Sequence, residues 1–90
     1  MADKRTIDRI RRMELYFDTI SYTQKNYPDM LKKDRYIQKM LTVLMDYYEN
    51  GQWLKDYKAD ERGELPRDLK RGVLSEDGVY NLLAEIEEEE

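Results

Sequence analysis

The sequence predicts an all-α fold: an antiparallel helical hairpin with a short connecting helix and a C-terminal helix, forming a small three- to four-helix bundle. Three observations carry this. Apolar residues recur at alternating spacings of three and four over two long stretches, the rhythm of helices packed lengthwise. Proline or glycine marks the breaks between stretches. No strand-like alternation runs beyond a few residues, and no internal repeat is present. The 90 residues make one domain, 1–90, with helices expected at about 4–25, 28–49, 52–60 and 76–87 and a frayed acidic tail at 88–90.

In the first helix the stripe is Ile10, Met13, Phe17, Ile20, Gln24 and Tyr27, widened by Ile7 and Tyr16. Asp3 or Thr6 suits its N-cap, and Asp8 favours the positive end of the helix dipole. Asn26-Tyr27-Pro28-Asp29 ends it, because proline disfavours helical backbone at Tyr27 and fits the first turn of a new helix. The second helix repeats the rhythm with Met30, Ile37, Leu41, Leu44 and Tyr48, broadened by Met40 and Met45. So short a connection implies an antiparallel pair. Asn50-Gly51 closes it, glycine tolerating a left-handed C-cap best.

Trp53, Leu54 and Tyr57 outline a short third helix, with Asn50 as its N-cap and Gly63 as its stop. Leu65 to Leu69 predicts one helical turn with Pro66 at its first position, ended by Gly72. Ser75 is the expected N-cap of the last helix, Glu76 and Asp77 lie in its first turn, and Leu74 with Val79 forms a hydrophobic staple. Val79, Leu82, Leu83 and Ile86 give that helix one apolar face, with Tyr80 on its flank.

Composition narrows the chemistry. The chain contains no cysteine and no histidine. That removes disulfides, Cys/His zinc sites, Ser–His and Cys–His nucleophile pairs, and the side chain best suited to proton transfer near neutral pH. A chain without disulfides suits a reducing cytoplasm. Neither a signal peptide nor a membrane-length apolar run is expected. Net charge is −4, but residues 1–45 carry 10 basic and 6 acidic side chains while residues 46–90 carry 6 and 14. This asymmetry favours antiparallel packing of the halves.

The acids from Asp56 through Asp60, Glu61 and Glu64 to Asp68 do not fit a calcium loop. With Gly63 at the sixth position, Lys58, Arg62 and Leu69 fall where oxygen ligands belong. These acids read as a solvated, salt-bridged surface; no metal and no cofactor is expected. Lys4, Arg5, Arg9, Arg11 and Arg12 form a basic cluster, with Arg5, Arg9 and Arg12 on one face, able to touch two or three phosphates. The bland reading is a solvated face paired with acids. Eight tyrosines accompany one tryptophan and one phenylalanine. Tyr47, Tyr48, Trp53 and Tyr57 gather where the second helix ends, either sealing the open end of the hairpin or forming a binding hot spot.

The segment from Trp53 to Glu61, with Gly63-Glu64-Leu65-Pro66 and Asp68 to Asp77, is distinctive, and Arg12-Met13-Glu14 with Tyr16-Phe17-Asp18 accompanies it. It resembles a bacterial family catalogued as domain of unknown function 4298. The resemblance implies a bacterial intracellular protein of about this length and carries over no catalytic residue, ligand or partner. Gly78 departs from the helix former expected at that place, at roughly 1 kcal/mol relative to alanine.

The leading functional expectation is a non-catalytic interaction module presenting the 53–72 region to a protein partner. Asp60, Glu61, Arg67, Lys70 and Arg71 are its recognition residues, and Trp53 and Tyr57 are its anchors or supports. The alternative is a nucleic-acid-associated regulator using the N-terminal basic face, or an acidic mimic of nucleic acid. The chain is expected to be a monomer, with weak self-association through the tyrosine-rich flank.

Overall fold

The computed structural model describes residues 3–88, among which there are five α-helices and no strand. Helix α1 spans Lys4–Asn26, α2 Met30–Lys33, α3 Arg35–Glu49, α4 Gln52–Glu61 and α5 Gly78–Glu88, with a 3₁₀ turn at Gly72–Leu74. Glu88 is still helical; Glu89 and Glu90 of the expected frayed tail lie outside the described residues.

Helix α1 starts where Asp3 accepts the Thr6 N–H at 2.9 Å, which holds the Asp3 carboxyl below its ordinary range. Ile10, Met13 and Ile20 of its stripe are buried, whereas Tyr27 is exposed. The continuous helix expected over 28–49 is broken at Asp34. Its backbone there is extended, and its carboxylate accepts the N–H groups of both Tyr36 and Ile37, capping α3. An acid inside an apolar rhythm competes with the helix for backbone donors, and here it wins. In consequence Leu31 of α2 is buried while Met30 is exposed.

Gly51 takes a left-handed φ of 93° between α3 and α4, and the Asn50 carbonyl oxygen of the side chain accepts the Gln52 N–H. Helix α4 ends in a Schellman arrangement around Gly63 (φ 71°): the Glu64 N–H donates to Ala59 and the Gly63 N–H to Asp60. Pro66–Leu69 forms a hydrogen-bonded turn rather than a turn of helix, and Gly72 begins the 3₁₀ turn instead of ending a helical one. Residues 76–77 are also a turn, so α5 begins at Gly78, later than a Ser75 cap predicts. Leu74 and Val79 are both buried, as the staple requires.

Helix α1 is the spine. It packs against α2, α3, the 3₁₀ turn and α5. Arg9 near its start and Tyr47 near the end of α3 meet on one side chain, Asp56, so the two helices run antiparallel. Ile10, Ile20, Leu44, Val73, Leu74 and Val79 form the driest part of the core.

Candidate interaction surface

The core's polar ties determine which charges remain outside. Asp56, 2% exposed, accepts two bonds from the Arg9 guanidinium (3.0 and 2.7 Å) and one from the Tyr47 hydroxyl (2.6 Å). The fork of arginine matches a carboxylate, which is why a buried acid is tolerated here. Asp56 is therefore not part of a solvated acidic surface, and Arg9 is turned inward, leaving Arg5 and Arg12 of the basic face. The hydrogen bond to Asp56, and then Coulombic attraction, hold Arg9 protonated more firmly. Burial, followed by the bond to Asp56, pushes the Tyr47 phenol up.

Trp53 donates its indole N–H to the Val73 carbonyl at 2.8 Å. Its ring lies edge-on to Tyr48 and stacked on Tyr57, with centroids 5.1 and 5.0 Å apart. Nearby carboxylates, Glu61 first, push the Tyr57 phenol up. Through these contacts the rings tie α4 to the end of α3 and to the 3₁₀ turn.

That segment, residues 62–71, has little regular structure but is tightly held. Arg71 pairs with Asp60 and also donates to the carbonyls of Pro66 and Arg67 at 3.3 and 3.4 Å. Arg62 forks onto Glu64. Leu65 and Leu69 are buried beneath it. Of the expected recognition residues, Asp60 and Arg71 are thus half-buried and spent on each other, whereas Glu61, Arg67 and Lys70 are exposed. Lys70, Asp68 and Leu69 border a cleft of about 320 Å³ against Arg11, Glu14, Leu15 and Asp18 of α1.

Sequence reasoning read Arg9 as part of a basic face, Tyr47 as part of an aromatic cluster and Asp56 as a solvated acid, missed the buried network that joins them, and gave Glu14 no role. Arg9 and Asp56 lie 47 positions apart with no local pattern joining them. Among the described residues, no three acids converge as a metal-ion site, and no helix is long and apolar enough to cross a membrane.

Together these features define a small all-α bundle that displays a clamped, charged loop beside its longest helix. The family model described as "Domain of unknown function (DUF4298)" matches residues 10–89, and the chain belongs to that family. No curated protein and no solved structure matches.

Proposed function

We propose that the chain is a cytoplasmic, non-catalytic protein-interaction module whose working surface is the loop within the 53–72 region, recognising an acidic patch on a protein partner. One observation carries the reading: Arg67 and Lys70 stand exposed on backbone held by the Gly63 terminus, the Pro66 turn and the Arg71–Asp60 clamp. Charges on a pre-ordered loop bind without the entropy loss of ordering it. Asp60 and Arg71 are positioning residues in this scheme, Trp53 and Tyr57 fix α4 against the end of α3 and the 3₁₀ turn, and Glu61 sets the rim.

The test is a double reversal, Arg67→Glu with Lys70→Glu, beside Lys39→Glu at an exposed position of α3 as control. The loop variant should keep its thermal midpoint, since exposed charges contribute only about 0–1 kcal/mol. It should lose capture of the partner that wild type and the control retain. Undiminished capture at physiological salt overturns the assignment.

A further inference from the structure

The face of α1 opposite its buried stripe carries Lys4, Asp8, Arg11, Leu15, Asp18 and Tyr22 at alternating spacings of four and three. That is the spacing of a helix with a second partner. Leu15 is 61% exposed, and Tyr22 is similarly open. Among the described residues, Arg11, Arg12 and Asp18 take part in no ion pair. An apolar centre is thus flanked by opposite charges that form no ion pair among the described residues, with Asp68 and Lys70 across the neighbouring cleft.

We propose that this face binds the same face of a second copy, the two α1 helices running antiparallel about a two-fold axis at Leu15. Two-fold symmetry requires a self-complementary surface, in which each residue meets its counterpart's partner. Stepping outward from Leu15 brings Arg11, four positions before it, beside Asp18 of the second copy, three positions after it, with Arg12 level with Asp18 on the flank, and the reverse on the other side of the axis. One step further, Asp8 meets the Tyr22 hydroxyl, and Lys4 meets Asn26. Among the residues named for this face, no like charges meet. A parallel pairing would instead set Arg11 on Arg11 and Asp18 on Asp18. A contact made chiefly by one helix falls at the small end of interface sizes, below about 1,200 Å², so the association is weak and depends on concentration. It does not rest on the loop reading: Arg67 takes no part in it, although Lys70 borders the same cleft as Arg11, Leu15 and Asp18.

Sedimentation equilibrium of the full chain at low salt tests this. The wild-type mass should rise with concentration from 11.0 kDa towards twice that value, and added salt should lower it. Arg11→Asp with Arg12→Asp, and separately Asp18→Arg, should each stay at 11.0 kDa with helicity unchanged. Mixed in equal amounts, the two variants should regain the dimer, since their reversed charges match only each other. Because the chain has no cysteine, a second measurement is open should a variant fail to fold. Under mild oxidant, Leu15→Cys on the axis should cross-link to itself, and Tyr22→Cys should not. A wild type that is monomeric at the highest concentration overturns the proposal. So does an equal mixture of folded variants that stays monomeric, or Tyr22→Cys cross-linking as readily as Leu15→Cys; those two results would point to another register or another occupant of the face.

Discussion

Glu14 accepts the buried backbone N–H of Val73 at 2.7 Å, joining α1 to the 3₁₀ turn across 59 positions of chain. The same Val73 receives the Trp53 indole on its carbonyl, so one residue is held by α1 from one side and α4 from the other. Gly72 leaves room for this: a Cβ there would lie 3.2 Å from Glu14 Oε2.

Glu14→Ala leaves the Val73 N–H buried without a partner, at a cost of about 1–3 kcal/mol. Glu14→Gln keeps an acceptor and should recover much of that loss. Urea midpoints of the two variants check this ordering; equal losses would show that charge rather than the hydrogen bond matters.

Trp53→Ala should lose about 2–4 kcal/mol, a little under the range for a fully buried tryptophan because the ring is half-buried. Trp53→Phe, which keeps a ring and loses the bond to Val73, should lose less. An unchanged urea midpoint for the alanine variant would mean the ring supports nothing.

Alkaline pH should act through Tyr47. Its ordinary pKa is 10.0, and burial first, then the bond to Asp56, raises it in the folded chain. Below about pH 10 the phenol is neutral in folded and unfolded chains alike, and its contribution is fully present. Above that value the unfolded chain ionises first, so stability falls as pH rises towards the folded value. The thermal midpoint of wild type should therefore decline more steeply above pH 10 than that of Tyr47→Phe. Parallel slopes would contradict the assignment.

Helix punctuation was legible where it is local. Asp3, Gly51 and Gly63 act as read, because caps and left-handed turns depend on a few neighbouring atoms, and the stripes of α1 and α5 are buried largely as their periodicity requires. Asp34 was missed because an apolar rhythm continues across it, hiding a cap within an apparent helix. Asp56 and Glu14 were unreadable for a different reason. An acid's burial depends on the partner it meets after folding, and Arg9 and Val73 are remote in the chain. The candidate surface was only half legible: exposure of Arg67 and Lys70 follows from their loop, but the commitment of Arg71 to Asp60 required the three-dimensional arrangement.

Gly78 shows the same dependence on distant packing. Alanine normally stabilises a helix by roughly 1 kcal/mol over glycine. Here a methyl group would run into Ser75 Oγ and sit 3.2 Å from both the Gly72 carbonyl and the Phe17 ring. Gly78→Ala should lower the thermal midpoint, at a cost of about 1–2 kcal/mol from crowding. A raised midpoint would show that the site relaxes freely.

Because α1 packs against α3, the 3₁₀ turn and α5 alike, its place in the chain has a consequence for biogenesis. The spine is synthesised ahead of the 3₁₀ turn and α5, both of which pack against it. Until those are made the greasy side of α1 has α2 and α3 as shelter, with α4 reaching α1 through Asp56. Nascent chains halted before Gly72 should therefore be the species that chaperones hold and proteases clear, and release should coincide with emergence of α5.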